Sequence, residues 1–330
     1  MSRVLATAVL ILLALVGVNL QHVLPGAPFG LPFSVPARPL PVTPLPFAAG
    51  GAAGPAFGVY DPQGAFAGAG GLTLEQVYSP WNPEQRPAMV AAVNAIRARH
   101  RVPLVGLEPW PATWAGMSSE TLFSDIVAGR YDTSIQTSCS ALGAQSPQPV
   151  LVRWGHEMDL LGRFPWSNGD ATGYIAAYQH FVTTCRATGA TNLYYVWSPG
   201  GDPGLRAYWP GAAYVDYVGM TGLGFGAWDV WRGADRPNTF AEIFAPRYAL
   251  LEGFGKPVIL CEFASTGPAD HQRRWLQDAA AGFKDYPLLV GVVYFNAVDP
   301  VAWGEIGVPD WRVSPSLFPT VAPAAPGPRA

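Results

Sequence analysis

Short apolar segments alternate with longer amphipathic segments over most of this chain, and that alternation limits the folds it can adopt. Eight of the apolar segments have strand length and are apolar on both faces, which is typical of a parallel sheet covered by helices. The predicted strands are Ala56 to Tyr60, Gln76 to Ser79, Leu104 to Leu107, Val150 to Arg153, Leu193 to Trp197, Tyr214 to Met220, Val258 to Glu262 and Leu289 to Phe295.

Helical periodicity fills several intervals between these strands. Residues 55–318 match the roughly 250 residues of a (β/α)8 barrel. An open doubly wound sheet would share the alternation, but it usually carries a phosphate-binding loop, and Gly64 to Gly71 lacks the G-x-G-x-x-G spacing. We therefore predict an α/β fold, a (β/α)8 TIM barrel. Its predicted helices are Pro87 to His100, Thr172 to Thr188, Phe240 to Glu252 and Asp270 to Phe283.

The segments flanking the predicted barrel are unlike a folded domain. Residues 4–20 are almost wholly apolar and follow Arg3, so residues 1–20 are predicted to be a signal peptide or an uncleaved membrane anchor. The lack of a clear cleavage site slightly favours the anchor. Residues 21–54 are predicted to be a Pro/Ala/Gly-rich linker and residues 319–330 a disordered tail. We expect an exported protein, periplasmic or extracellular, that is either released or held at the membrane through residues 4–20.

The net charge indicates which partners are not expected, and the cysteines allow one disulfide. With 20 Lys and Arg against 23 Asp and Glu, the formal net charge is −3, so we expect no nucleic-acid partner. Cys139 and Cys185 fall on or near consecutive predicted helices and could form a disulfide, whereas Cys261 is expected to be a buried thiol. His156-Glu157 lacks the second histidine of an H-E-x-x-H site, so no metal and no cofactor are expected. We expect a monomer.

Three of the nine glutamates close predicted strands. They are Glu108 after the third strand, Glu157 after the fourth and Glu262 after the seventh. In a (β/α)8 barrel the active site lies at the carboxyl ends of the strands. Strand ends four and seven face each other, and two carboxyl groups about 5–5.5 Å apart are what a retaining glycosidase requires. The alternative for one such glutamate is a structural ion pair, for which Arg153 is an available partner.

Tryptophan is enriched in the segments that close or follow the predicted strands, on the side that carries the site. Indole rings stack on the apolar C–H faces of sugars, so these rings suit a polysaccharide cleft, although some are expected only to pack helices on the barrel. The tryptophans concerned are Trp81, Trp110, Trp114, Trp154, Trp166, Trp197, Trp209, Trp303 and Trp311.

The segment from Arg153 to Met158, followed by Gly162 to Trp166, resembles the acid/base segment of glycoside hydrolase family 26, R-x-x-H-E-M-N-G-x-W-Y-P-W. The resemblance implies a retaining (β/α)8 glycosidase with Glu157 as acid/base and Glu262 as nucleophile, acting on a β-mannan, a mixed-linkage β-glucan or a xylan. It covers most of residues 56–312 and extends to Val196 to Pro199, Tyr208 to Gly211, Tyr214 to Gly219, Gly255 to Val258, Glu262-Phe263 and Tyr294 to Asn296.

Strand-end position and the resemblance together suggest which residues contact the sugar. His156 and Glu108 are expected to hydrogen-bond the substrate, and Trp166 is expected to be a stacking platform. The further predicted substrate-binding residues are Trp110, Trp197, Arg153 and Asn296.

Two positions depart from the family pattern. Asp159 stands where relatives have Asn, and Gly219 to Leu223 lacks the Tyr that relatives often place beside the nucleophile. That Tyr is missing unless Phe225 or a neighbouring loop replaces it, and phenylalanine cannot donate a hydrogen bond. The missing Tyr shifts the expected substrate from mannan towards a β-glucan or an exopolysaccharide of the same cell. The function predicted is a retaining endo-β-glycosidase acting on a β-linked polysaccharide. The alternative is a non-catalytic or weakly active polysaccharide-binding barrel associated with exopolysaccharide synthesis.

Overall fold

Eight parallel strands close into a barrel in which each strand pairs with its neighbours in the sequence and β1 pairs with β8. The computed structural model describes residues 54–111 and 119–317. The predicted (β/α)8 fold is confirmed. The strands are β1 (Ala56–Tyr60), β2 (Leu74–Pro80), β3 (Val102–Glu108), β4 (Val150–Trp154), β5 (Leu193–Trp197), β6 (Tyr217–Gly224), β7 (Val258–Ser265) and β8 (Leu289–Phe295).

Helices cover the outside of the barrel, and four of them match the helices predicted from periodicity. α1, for example, buries Met89, Val93 and Ile96, which the helical repeat places on one face. The helices are α1 (Arg86–Ala98), α2 (Ser119–Val127), α3 (Asp132–Gly143), α4 (Ala171–Ala187), α5 (Gly226–Trp231), α6 (Phe240–Glu252) and α7 (Ala269–Gly282).

The predicted anchor, the linker up to residue 53 and the tail lie outside the described residues. None of the helices within residues 54–111 and 119–317 is long and apolar enough to cross a membrane.

Inward-facing side chains fill the barrel below its mouth, because successive residues of a strand point to opposite faces. A second, larger apolar cluster packs the outer face of the sheet against the helices. The cluster that occupies the barrel interior contains Leu74, Leu104, Leu151, Tyr194, Val196, Tyr217, Ile259, Cys261, Val290 and Val293.

A β-bulge in β7 interrupts this alternation. In the pairing of β6 with β7, Met220 is opposite Leu260 and Thr221 is opposite Glu262, so Cys261 is an extra residue on β7. A bulge changes the direction in which the following side chain points. Cys261 therefore packs in the barrel interior while its neighbour Glu262 points into the mouth.

β6 begins later than predicted. Gly211 has a φ of +98° and starts a short 3-10 turn that ends at Tyr214, so the strand runs from Tyr217 to Gly224. The strand also ends later than predicted, at Gly224, so Thr221, which was expected just beyond the strand, lies within it.

The glycine-rich segment Gly64 to Gly71 is a loop, as predicted, and it is held at the amino end of the barrel. Arg101 donates hydrogen bonds to the carbonyl oxygens of Phe66 at 2.8 Å and Ala69 at 2.9 Å. The same guanidinium forms a 2.7 Å ion pair with Glu75. This buried cluster is structural, because it lies at the end of the barrel opposite the strand ends that carry Glu108 and Glu262.

Cys139 of α3 and Cys185 of α4 form a disulfide with a Cα–Cα distance of 5.3 Å. The pairing that the sequence left open is therefore present. Cys261 is a buried free thiol, as predicted.

The disulfide closes 46 residues of chain, and a loop of this length reduces the entropy of the unfolded state by the equivalent of about 4 kcal/mol. The double substitution Cys139→Ala, Cys185→Ala is expected to lower the free energy of unfolding by up to that amount, measured by urea denaturation. Cys261→Ala is the control for loss of a buried thiol outside the disulfide. Thiol titration of denatured, unreduced protein should find one free thiol, and three would contradict the assignment.

Candidate active site

Glu157 lies just beyond β4 in a conformation that non-glycine residues rarely adopt. Its φ is +54°, and Gly155 two residues earlier also has a positive φ of +54°. Its backbone N–H donates to the carbonyl oxygen of Ser198 at 2.8 Å, and its own carbonyl oxygen accepts from the Ser167 hydroxyl at 2.9 Å. These contacts from neighbouring loops hold a left-handed backbone that would otherwise relax, and they fix the direction of the carboxyl group.

The Glu157 carboxyl group is buried, at 4% exposed, and is held from two sides. Thr221 of β6 donates a hydrogen bond to Oε1 at 2.6 Å, and Arg163 lies 3.4 Å from Oε2. Burial, followed by the negative charge of Glu262, raises the pKa of Glu157 to about 7, against the lowering effect of Arg153, Arg163 and the Thr221 hydrogen bond. Glu157 thus has the pKa of a group that exchanges a proton near neutral pH.

Glu262 is in a different environment, although it faces the same space. The guanidinium of Arg153, which is fully buried, forms an ion pair with Glu262 Oε1 at 2.7 Å. The Tyr78 hydroxyl donates to the same oxygen at 2.8 Å. Arg153 also donates from Nε to the Ser198 hydroxyl at 2.8 Å, which fixes the guanidinium plane. The ion pair anticipated for a strand-end glutamate therefore involves Glu262, and it lies beside the candidate site.

Tyr78 is the site residue that the sequence reasoning missed. Tyr78 lies on β2, and its hydroxyl donates to Glu262 Oε1 and accepts a hydrogen bond from Arg153 at 3.0 Å. Burial, and then the Glu262 charge, raises the pKa of Tyr78 well above its ordinary value, so it remains a neutral donor. Gly106 makes room for the ring, because a Cβ there would lie 2.5 Å from Tyr78 Cδ1. The inward alternation of Leu74, Gln76 and Tyr78 was the available signal.

Glu157 and Glu262 line one cavity of about 410 Å³ at the carboxyl ends of the strands. Glu108, at the end of β3, also lines it; Trp110 donates from Nε1 to Glu108 Oε2 at 2.8 Å. Burial raises the pKa of Glu108. The structure therefore brings together all three glutamates predicted from the strand ends.

His156 also lines this cavity and is 3% exposed, and its Nδ1 has no hydrogen-bond partner among the residues that the structure describes. Burial, and then the charges of Arg153 and Arg163, lowers its pKa well below the ordinary value. The ring is therefore neutral. It packs edge-on against Phe164, which also lines the cavity, with 5.0 Å between ring centroids.

The tryptophan predictions need correction. Trp166 and Trp197 are both fully buried, so neither offers a ring face on which a sugar could stack. Trp166 instead donates to the carbonyl oxygen of His156 at 2.6 Å and stacks beneath Phe164, with 4.7 Å between ring centroids. Trp197 packs against Trp209 behind the barrel wall. Full burial also places Trp81, Trp154 and Trp311 in the core, and Trp114 lies outside the described residues.

Three other predicted substrate-binding residues have structural contacts. Asn296 donates to Asp61 Oδ1 at 2.9 Å and accepts from the backbone N–H of Val313 at 2.9 Å, so its amide links two loops. Arg153 has no exposed surface and acts through Glu262. Trp110 is half-buried and positions Glu108.

Asp159, the departure from the family Asn, has a clear structural role. Its carboxylate accepts hydrogen bonds from the backbone N–H groups of Gly200 at 2.6 Å, Gly201 at 2.9 Å and Asp202 at 2.8 Å. An amide offers only one acceptor oxygen, whereas a carboxylate offers two, which suits this three-donor loop.

Within residues 54–111 and 119–317, no cluster of three or more His, Cys, Asp or Glu side chains could hold a metal ion.

The chain is similar in sequence to curated proteins and in fold to solved structures. Endoglucanase H of Acetivibrio thermocellus is 28% identical over 216 residues, which are 62% of this chain and 22% of that protein. This chain thus spans about a fifth of the length of that relative. No model of a known protein family matches the chain.

Solved structures share the fold. The catalytic domain of a family 26 endo-β-1,4-mannanase from Bacillus sp. JAMB-750 superposes with a TM-score of 0.57 at 17% identity, over 73% of this chain and 77% of that one. A family 26 β-mannanase from Bacteroides ovatus gives a TM-score of 0.57 at 14% identity, over 81% and 87%. At these identities the likeness establishes a common (β/α)8 architecture.

The raised pKa of Glu157 can be tested without a substrate, by ¹³C NMR titration of protein labelled in the glutamate side chains, with Glu157→Gln used to assign the resonance. We expect Glu157 to titrate near pH 7. Arg163→Ala should raise that pKa further, because it removes a positive charge that favours the carboxylate. Arg273→Ala, on the surface of α7, is the control. Titration near the ordinary glutamate pKa of about 4.3 would contradict the interpretation of the site.

Proposed function

We propose that the chain is a glycoside hydrolase that cleaves a β-linked polysaccharide with retention of anomeric configuration. The observation that carries the proposal is the pair of carboxyl groups in one cavity with different surroundings. Glu157 is buried with a pKa of about 7, and Glu262 is paired with Arg153 and Tyr78. Double displacement requires one group suited to donating a proton and a second carboxyl group placed to attack, and the contacts with Arg153 and Tyr78 fix the position of the second.

In the first step Glu157 gives its proton to the glycosidic oxygen while Glu262 attacks the anomeric carbon. Arg153 and Tyr78 both contact Oε1, and we assign the attack to Oε2. The C–O bond breaks, the leaving sugar departs as an alcohol, and the other sugar is held as an ester of Glu262. In the second step Glu157 removes a proton from water, the water oxygen attacks the anomeric carbon, and the ester bond breaks to release Glu262.

The neighbouring side chains suit these roles. Thr221 and Arg163 orient the Glu157 carboxyl, and Arg153 and Tyr78 fix Glu262 for attack. Because the first step needs protonated Glu157, kcat/KM should fall as pH rises through about 7.

We propose an uncharged β-linked glycan as substrate, of the β-mannan or mixed-linkage β-glucan type, with attack within the chain. The support is the naming of the relatives as an endoglucanase and as endo-β-mannanases, together with a net charge of only −3. The alternative of a non-catalytic barrel arose from the missing strand-six Tyr. Tyr78 now occupies the place beside Glu262, so no observation favours that alternative.

Export is also proposed. The Cys139–Cys185 disulfide suits an oxidising compartment outside the cytosol, and the apolar residues 4–20 suit a signal or anchor, released or attached.

Purified protein should release reducing sugar from at least one of β-1,4-mannan, mixed-linkage β-glucan, β-1,3-xylan and cellulose. Glu157→Gln and Glu262→Gln should each lower kcat roughly a thousandfold or more, equal to about 4 kcal/mol of barrier. Gln is chosen because its amide oxygen can still accept hydrogen bonds from Arg153 and Tyr78, which limits unfolding. The product anomer seen first by proton NMR should be β.

Glu84→Ala, at an exposed position in the 3-10 turn that follows β2, is the control and should retain wild-type activity, because Glu84 does not line the cavity that contains Glu157 and Glu262. Full hydrolysis by folded Glu262→Gln would refute the mechanism. Binding of a glycan by the wild-type protein without hydrolysis would instead support the non-catalytic alternative.

A further inference from the structure

A second cavity, of about 1310 Å³, meets the first one at Glu157. Both cavities are lined by Glu157 and Arg163. The lining of the larger cavity includes Thr221 on the other side of the Glu157 carboxyl, whereas Glu262 belongs to the lining of the smaller cavity. The larger cavity therefore reaches the acid/base residue, whereas the nucleophile is not among the residues that line it.

The position of the larger cavity indicates which part of the glycan it binds, and this inference rests on the proposed function. The sugar that Glu262 attacks must lie between the two carboxyl groups, in the smaller cavity. Glu157 protonates the oxygen that links this sugar to the leaving group. The larger cavity therefore lies where the leaving-group part of the glycan, towards its reducing end, must run.

The lining of the larger cavity offers aromatic surface to a sugar. Trp228 of α5 and Trp303 are both half-buried and meet edge-to-face, with 5.6 Å between ring centroids. Trp228 also stacks on Trp231, with a centroid distance of 5.1 Å, and Trp231 is 61% exposed. Leu161, another lining residue, is 78% exposed. Apolar surface of this kind on a soluble domain is typical of a binding site, and indole faces suit the C–H faces of pyranose rings.

Several of the charged groups around these rings have partners within the protein. Glu242 forms a 2.8 Å ion pair with Arg236, and the Asp229 carboxylate accepts a hydrogen bond from the backbone N–H of Asn238 at 2.9 Å. The Arg232 guanidinium lies 6.0 Å from the centroid of the Trp228 ring. The lining therefore creates no strong electrostatic potential of one sign, which suits a neutral sugar chain.

The two cavities also differ in size. About 410 Å³ is within the range of a pocket for one small ligand, and about 1310 Å³ exceeds that range. Among the described residues, the smaller cavity is bounded by Pro62 and Gln63 after β1 and by residues 297–301 after β8.

We propose that the larger cavity, which we name the Trp228 groove, binds the leaving-group end of the glycan, and that it holds more sugar units than the cavity containing Glu262. The enzyme then makes its main cut close to the non-reducing end of an oligosaccharide. Trp228 is a specificity-determining residue in this groove, because it contributes binding to long leaving groups.

The cut position can be measured on hexasaccharides of β-1,4-mannan and of mixed-linkage β-glucan, each labelled with ¹⁸O at the reducing end. Mass spectrometry of the first products should find most of the label in tetra- or pentasaccharide. Label mainly in mono- or disaccharide would overturn the inference while leaving the proposed function intact. If neither hexasaccharide nor any polymer is cut, the proposed function fails, and this inference fails with it.

Trp228→Ala tests the groove directly. The substitution should lower kcat/KM for the hexasaccharide by a factor about ten times larger than the factor by which it lowers kcat/KM for an aryl β-glycoside of the same sugar. The leaving group of the aryl glycoside is a single ring. Val230→Ala is the matched control, since Val230 is 51% exposed on the same helix and lines neither cavity. Circular dichroism confirms folding of both variants. Equal losses on the two substrates, or no loss on either, would overturn the role of Trp228.

Discussion

The buried ion pair between Arg153 and Glu262 is the interaction on which the rest of the site depends. Arg153 has no exposed surface, and a guanidinium in that position requires a partner, because an unpaired buried charge typically costs about 3–5 kcal/mol. Glu262 is that partner, and Tyr78 contacts both groups. The pair therefore fixes the relative position of β2, β4 and β7 at the mouth of the barrel.

Two backbone irregularities deliver the carboxyl groups to one cavity. The bulge at Cys261 directs Glu262 into the mouth of the barrel, and the left-handed backbone at Glu157 turns the β4 loop towards it. The same two residues then acquire different chemistry from their surroundings. Burial raises the pKa of Glu157, whereas Glu262 has a fixed cation and a phenol donor at one oxygen. A common pocket with unequal neighbours is how a protein assigns acid and nucleophile to two identical side chains.

Much of the fold was predictable because periodicity reports burial. The bounds of β1, β5, β8 and α6 agree with the apolar pattern, and the glutamates were found because barrel sites lie at strand ends. Periodicity does not report partners. Arg153 appeared to be a contact for the sugar, although it serves Glu262. Tyr78 was not predicted, because the alternation of β2 places its ring inside the barrel without indicating which side chain its hydroxyl contacts.

The sequence also did not indicate which tryptophans are buried. A tryptophan that follows a strand can face the cleft or the helices, and only the packing of α4 and of the loops decides between them. Trp166 supports Phe164 from below, and Trp197 packs on Trp209. The bulge at Cys261 has no sequence signal either, since Cys and Glu are both compatible with regular strand pairing.

In the proposed mechanism Glu262 forms a covalent bond with the sugar. The direct test is to incubate the wild-type protein with 2-deoxy-2-fluoro-β-mannosyl and β-glucosyl fluorides and to map the modified peptide by mass spectrometry. We expect one fluorosugar attached to Glu262. A label on another carboxylate, or turnover of a glycan with an inverted product and no labelled peptide, would contradict it.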